Sequence, residues 1–297
     1  MRTVRTIGEL RAALADARRS GKVVGLVPTM GAFHGGHLSL MRRARQDCDV
    51  VVVSLFVNPA QFNDAEDLAS YPRDEQRDAA LAAEIGIDYL FVPSAAEIYP
   101  PGFATTVSVS GLTETLEGTW RGREHFDAVA TVVTKLFNIV APQVAYFGQK
   151  DAQQALVIKR MVRDLDMPVR IELCATVREP DGLALSSRNV RLAGPDRVRA
   201  TSLHRALDAL RQAIAEGERD PAAARARAGA ELAAASIEPE YLELVDPETL
   251  HPVARLDGHP VLALIAARVG DTRLIDNELI PPLPTAQAAG SPSKGSS

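Results

Sequence analysis

Val24-Gly-Leu-Val-Pro-Thr-Met-Gly-Ala-Phe-His-Gly-Gly-His37, continuing into Leu38-Ser-Leu-Met-Arg-Arg-Ala-Arg45, decides the fold. Lys22 to Val27 is a short apolar, β-branched run, the pattern of a parallel strand buried on both faces. Pro28 to Gly36 carries one proline and three glycines, so the backbone can bend sharply and approach a ligand closely. From His37 the apolar residues take helical spacing, Leu38 with Met41 and Leu40 with Ala44. A strand, a glycine-rich turn and a helix start make an anion site, because the first helical turn has unpaired N–H groups and a partial positive charge.

His34 and His37, three residues apart at that helix start, can share one face. Two imidazoles there can donate hydrogen bonds to phosphate oxygens whose charge grows in a transition state. Taken alone, the pair reads equally well as cap or surface histidines. A zinc pair fits poorly, since no CxxC or third close ligand accompanies it.

The 297 residues suffice for one large or two ordinary domains. With 46% hydrophobic and 24% charged residues the composition is that of a soluble globular protein, and the net charge of −5 gives no basic field for nucleic acid. The two cysteines, Cys48 and Cys174, lie in or beside apolar runs and read as buried free thiols, which fits a reducing cytoplasm. The N-terminus mixes arginine with acidic residues and lacks the apolar core of a secretory signal, while Ile7, Leu10 and Leu14 suggest an amphipathic helix. No run approaches membrane-spanning length. Residues 284–297, rich in Pro, Ala, Gly and Ser, are expected to be a disordered tail.

Along the chain, Asp49 to Val57 is too apolar to alternate and reads as a central strand, with Gln61-Phe62-Asn63 at its carboxyl end. Ligands of open α/β sheets bind there, so Gln61 is placed for a polar substrate, although a solvated loop amide is an equal reading. A helix over Asp74–Ile85 and a strand over Tyr89–Val92 follow. Ser94 to Arg123 is irregular, with a candidate strand at Thr106–Ser110, and has the length of a flap over a site. His125–Val140 is an apolar helix. Val144–Phe147 then leads through Gly148-Gln-Lys-Asp151 into a helix bearing Gln153 and Gln154, repeating the first theme. Lys150 can neutralise phosphate charge, Asp151 can cap the helix, and Gln154 can reach the same cleft as Gln61; without the first motif a capped surface helix is the simpler reading. A strand over Val169–Val177 runs into Arg178-Glu-Pro-Asp-Gly-Leu-Ala-Leu-Ser-Ser-Arg-Asn189, where Ser186-Ser187-Arg188 suits an anion clamp, a polar interdomain linker, or both.

From Pro195 the character changes. Helical runs at Arg197–Glu216 and Pro221–Ala235 precede strands at Tyr241–Val245, Val261–Ile265 and Thr272–Ile275. The fold class is therefore α/β, a Rossmann-like doubly wound parallel sheet over residues 1–188, with a smaller C-terminal α+β domain over 189–283. Neither a GxGxxG fingerprint nor a GxxxxGK[ST] loop is present.

The ordered set of Pro28-Thr-Met-Gly-Ala-Phe-His-Gly-Gly-His37, Phe56-Val-Asn-Pro-Ala-Gln-Phe62, Tyr71-Pro-Arg73, His125-Phe126, Phe147-Gly-Gln-Lys-Asp151 with Gln153-Gln154, and Arg178 to Asn189 resembles the pantoate–β-alanine ligase family. That family shares the HIGH-like motif with class I aminoacyl-tRNA synthetases. The resemblance implies ATP-dependent condensation of pantoate with β-alanine through a pantoyl adenylate, releasing pyrophosphate and AMP; another HxGH-type nucleotidyltransferase is the alternative. It implies that His34 and His37 contact ATP phosphates, with His37 as proton donor, and that Met30, Gly31, Ala32, Phe33, Gly35 and Gly36 belong to the same wall. Gly148, Gln149, Lys150 and Asp151 would bind nucleotide, with Lys150 on the phosphates. Val177, Leu185, Ser186, Ser187 and Arg188 would complete the ATP site, in a clamp resembling the KMSKS loop. Gln61 and Gln154 match the residues that hold pantoate, Gln61 also lying near β-alanine. Mg²⁺ is expected on the triphosphate rather than in a protein cage, and a homodimer through the N-terminal domain is implied. Ala128, Leu185 and Gln149 depart from the common glycine, methionine and glutamate, which removes no candidate catalytic side chain.

Overall fold

The computed structural model describes residues 1–62 and 65–282. In chain order the first part comprises β1 (Arg2–Val4), α1 (Ile7–Arg19), β2 (Val24–Thr29), α2 (Gly35–Asp47), β3 (Val50–Leu55), α3 (Ala65–Ser70), α4 (Glu75–Ile85) and β4 (Tyr89–Phe91). Then come α5 (Ala95–Ile98), α6 (Glu117–Arg121), α7 (Arg123–Val140), β5 (Val144–Gly148), α8 (Ala152–Asp164) and β6 (Arg170–Cys174). The remainder is α9 (Gly194–Arg199), α10 (Ser202–Ala215), α11 (Pro221–Ala234), β7 (Pro239–Val245), β8 (Val261–Val269) and β9 (Thr272–Ile280).

The first six strands form one sheet in the order β1-β4-β3-β2-β5-β6, every neighbouring pair parallel. Leu26 pairs with Val52 on one side and Ala145 on the other, and all three face the core made with α1, α7 and α8. Their neighbours Val27, Val53 and Tyr146 face the second core, with Met41 of α2 and Ala82 of α4. Alternate residues thus feed opposite cores, which is why these strands are apolar throughout. From β2 the chain moves outward to β3, and from β5 it moves outward to β6 in the other direction. The switch point between β2 and β5 leaves a crevice at the strands' carboxyl ends.

The last three strands form an antiparallel sheet, β7-β8-β9. Val261, Ala263 and Ile265 pack with Leu207 of α10 and Ala228 of α11, whereas Leu262 and Leu264 join the core of the large sheet. Both faces of β8 are covered, and its sequence is correspondingly apolar.

Several sequence expectations are corrected. β1, three residues paired with β4, has no counterpart among them; a capping box between Thr6 and Glu9 starts α1 only after it. α2 begins at Gly35 rather than His37, because His34 caps it. Thr106–Ser110 is not a strand, and the supposed flap instead contains α5 and α6. The strand expected over Val169–Val177 ends at Cys174. The helical run from Arg197 breaks around Ala200–Thr201 into α9 and α10. β8 and β9 run past Ile265 and Ile275, to Val269 and Ile280. Both cysteines are free, Cys48 buried and Cys174 half-buried. Asn63, residue 283 and the tail expected at 284–297 lie outside the described residues.

Candidate active site

The wall contributed by β2 is held by a buried carboxylate. Beyond Thr29, Gly31 and Ala32 turn with φ of 90° and 53°. The N–H groups of Ala32 and Phe33 donate to Asp78 on α4 at 2.7 and 2.8 Å. Asp78 is 1% exposed, and the Phe33 ring is buried in the core beneath the loop. This fixes where α2 starts. His34 then caps the helix, its Nδ1 accepting from the Gly36 N–H at 3.2 Å. With Nδ1 an acceptor, the neutral ring carries its proton on Nε2. A Cβ at Gly35 would stand 2.9 Å from Leu185 Cδ1, and one at Gly36 would stand 2.9 Å from the His34 ring. The paired glycines thus let the clamp loop and the imidazole approach the helix start.

The rings of His34 and His37 lie 4.2 Å apart. Burial, then the neighbouring Lys150, lowers the His34 pKa. Burial, then His34, lowers that of His37 to about 3. Both imidazoles are uncharged at neutral pH in the ligand-free protein, and they serve there as hydrogen-bonding groups rather than as cations. His37 Nδ1 is buried without a partner.

From β5 the chain passes through Gly148 and a 3-10 turn, Gln149–Asp151, into α8. Lys150 is mostly buried, its Nζ 3.8 Å from Asp151 Oδ1. Asp151 stands at the N-cap position of α8 without a side-chain capping bond, contrary to expectation. Burial pushes its carboxyl up, but Lys150, Arg121 and Arg188 outweigh this and hold it below the ordinary carboxylate value.

The third wall is the loop after β6. Arg178 and Ala184 pair across a turn closed by the Gly182 N–H on Glu179 O at 2.9 Å. Ser186 then caps a 3-10 turn, Ser187–Arg191, accepting from the Arg188 N–H at 3.2 Å. Burial raises the Tyr71 phenol, while Arg188 and a hydrogen bond with Ser187 pull it back.

Opposite lies a neutral polar group. Asn58, 1% exposed, donates to Gln61 Oε1 at 3.0 Å and to Ala128 O at 3.3 Å, and accepts from the Tyr99 hydroxyl at 2.9 Å. His125 Nδ1 lies 3.0 Å from Gln61 O. A carbonyl can only accept, so Nδ1 carries the proton and Nε2 is left as an acceptor. Burial, then Arg121, lowers the His125 pKa to about 4. Gln153 is buried and pins the α6 strap, donating to Leu112 O and Thr115 O at 2.7 and 2.8 Å and accepting from the Glu117 N–H at 3.0 Å.

These walls enclose one cleft of about 500 Å³. Met30, His34, Gly36, His37, Gln61, Gly148, Lys150, Asp151, Gln154, Val177 and Leu185 through Arg188 all line it. Gly31, Ala32, Phe33, Gly35 and Gln149 are not on its surface: the first four shape the loop behind it, and the Gln149 amide donates to Asn277 at 3.2 Å. Sequence reasoning assigned no role to Asn58, Tyr71, Arg121, His125 or Asn277, which also line the cleft. Three of these, Asn58, Tyr71 and His125, sit inside motifs already singled out. Among the described residues no group of three or more His, Cys, Asp or Glu is arranged to hold a metal ion, and no helix is long and apolar enough to cross a membrane.

A doubly wound sheet whose switch-point cleft is lined by paired helix-start histidines, a lysine and a Ser-Ser-Arg loop marks an α/β protein with a site suited to an anionic ligand. The comparisons narrow this. The sequence model of the pantoate-beta-alanine ligase family matches residues 2–279, and the chain belongs to that family. A pantothenate synthetase of Cereibacter sphaeroides is 53% identical over 274 residues, covering 92% of this chain and 98% of its own. The crystal structure of pantothenate synthetase from Thermus thermophilus is 49% identical with a TM-score of 0.89, covering 95% of this chain and all of its own. That of a Francisella tularensis pantoate-beta-alanine ligase complexed with beta-gamma ATP and beta-alanine is 33% identical with a TM-score of 0.77, covering 94% and 97%.

Proposed function

We propose that this protein is an AMP-forming acid–amine ligase that joins pantoate to β-alanine. The observation that carries this reading is the meeting, in one cleft, of two neutral helix-start histidines, Lys150 and Arg188 with the neutral amides Gln61 and Gln154. A pantoate carboxylate oxygen attacks the α-phosphorus of ATP, and the bond to the β-phosphate oxygen breaks, releasing pyrophosphate. The β-alanine nitrogen then attacks the acyl carbon, expels AMP and loses a proton, leaving pantothenate.

Carboxylate and triphosphate repel, so the protein must supply fixed donors and positive charge. In our reading Lys150 and Arg188 supply the charge, while His34 and His37 donate to the phosphates. The triphosphate's own negative charge raises both imidazole pKa values. A proton on His37 thus becomes available where leaving-group charge develops. Gln61 and Gln154 hold the hydroxyls and carboxylate of pantoate, and the apolar wall of Phe126, Val129, Val133 and Leu136 accepts its gem-dimethyl group. The carboxylates that line the cleft, Glu117, Asp151 and Asp276, stand beside Arg273, Lys150 and Arg178, and no group of three or more His, Cys, Asp or Glu is gathered among the described residues, so a cation carried on the triphosphate suits this lining.

We further propose residues 1–188 as the nucleotide and pantoate domain and 189–283 as a lid over it, a homodimer through the first domain, and a cytoplasmic location. Sedimentation at twice 31.9 kDa is the expected result for the dimer.

The test is AMP release from ATP and Mg²⁺ with pantoate and β-alanine omitted one at a time. Dependence on both supports the ligase. A nucleotidyl product that forms without pantoate, or that β-alanine does not consume, refutes it in favour of another HxGH nucleotidyltransferase.

A further inference from the structure

β9 carries two polar residues in mid-strand, Asp276 and Asn277, 4% and 3% exposed. Being adjacent, they point to opposite faces of the strand. Asn277 is paired with Leu264, which joins the core of the large sheet, and Asp276 with Ile265, which belongs to the core of the small one. Each is committed to a different loop of the cleft. Asn277 Nδ2 donates to both Gln149 O, at 3.0 Å, and Lys150 O, at 2.7 Å, while its Oδ1 accepts from Gln149 Nε2 at 3.2 Å. Two donors on one nitrogen beside an acceptor is what a side-chain amide offers and no other group of that size does. Asp276 takes the Arg178 guanidinium in two bonds, at 2.6 and 3.1 Å, and Arg178 also donates to Gly182 O at 3.1 Å. That closes the turn from which the Ser-Ser-Arg clamp emerges.

Buried polar groups are expensive unless fully paired, and apolar residues would stabilise such a strand at least as well. Here the two side chains tie the loop that aims Lys150 and the loop that aims Arg188 to consecutive residues of one strand. We infer that Asp276 and Asn277 are positioning residues that set Lys150 against the Ser186–Arg188 clamp, so that a triphosphate is gripped from both loops in one register. The inference rests on the reading of this cleft as an ATP site. It gives the small sheet a part in the first half-reaction, since the sheet holds the backbone from which Lys150 projects.

The experiment is calorimetric binding of ATP and of AMP to the full-length protein and its Asn277→Ala variant, alongside AMP release by the wild type. The expected result is ATP affinity weakened by roughly tenfold to a hundredfold, the scale of a misplaced anchor, with AMP affinity unchanged. Equal weakening of both nucleotides, or of neither, would overturn the inference, as would a wild type that binds ATP no more tightly than AMP. Wild type that binds ATP tightly but makes no AMP from pantoate and β-alanine would sink the ligase reading alone. If Asn277→Ala does not fold, Asn277→Ser and Asp276→Asn carry the same comparison, and Asn277→Gln, which keeps the amide, is expected to recover part of the ATP affinity.

Discussion

Replacing Glu117 by Gln tests the ionic joint between the α6 strap and the small sheet. Glu117 is 5% exposed. Its carboxylate accepts two bonds from Arg273 at 2.9 and 2.7 Å, one from Arg121 at 3.1 Å and one from the Tyr241 hydroxyl at 2.8 Å. Burial pushes its pKa up, but the Arg273 bonds and charge, with Arg121 and Tyr241, outweigh this and bring it down from 4.5 to about 2. That gap corresponds to about 3 kcal/mol of stability at neutral pH. The folded-state value is depressed, so this stability is fully present above the unfolded value near 4.5 and is lost as pH falls through about 2. Urea unfolding of both proteins from pH 8 to pH 3 should show the variant weaker by about 3 kcal/mol at pH 7 and by about 1 kcal/mol at pH 3. Because α6 carries Arg121 to the cleft, kcat/KM should fall as well. Equal stability at pH 7 would refute the network's worth. A deficit undiminished at pH 3 would show that shape, not charge, is what the site loses.

His37→Ala should slow adenylate formation by about a hundredfold, the scale for loss of a transition-state donor, whereas His37→Gln, which keeps a neutral N–H, should retain more of the rate. Equal loss in the two, measured as pyrophosphate release, would mean that the imidazole itself is needed. Gln154→Ala should raise KM for pantoate more than for ATP, and equal effects would count against its assignment. Asp78→Asn turns one acceptor of the Ala32 and Phe33 N–H groups into a donor. It should cost about 2 kcal/mol, visible as a lower Tm, and should weaken ATP binding through the displaced loop; an unchanged Tm would show that the loop holds itself.

The fold was legible where apolar runs meet strong punctuation. Val50 to Leu55 can hardly be anything but a central strand, whereas the strand read as Lys22–Val27 starts at Val24 and runs on through Pro28 and Thr29, which pair with Ser54 and Leu55 before the glycines end it. Arg2–Val4 was not legible, since three residues of which only Val4 is buried carry no period to read. Nor was α6, whose place depends on Gln153 holding backbone groups far along the chain. Most of the residues that line the cleft came into view through their motifs, but the reasons for their positions did not. Asp78 lies in the first turn of α4, where an acidic residue is common for its own sake, and only the fold turns it towards Ala32 and Phe33.

β9 shows the same limit most sharply. Its apolar pattern reads as a strand over Thr272–Ile275 and then stops, because Asp276 and Asn277 interrupt the apolar run that a strand packed on both faces should keep. The strand does not stop there. The paired amide and carboxylate compensate for their burial by bonding to the Gln149–Lys150 backbone and to Arg178, both of which belong to the loops of the cleft. A local rule was broken at the point where the small sheet touches the loops of the cleft, and such breaks are expected where a site, rather than a core, sets the residue. On this argument an apolar pair at 276–277 would give a strand that packs at least as well and a cleft whose lysine and arginine no longer share one frame.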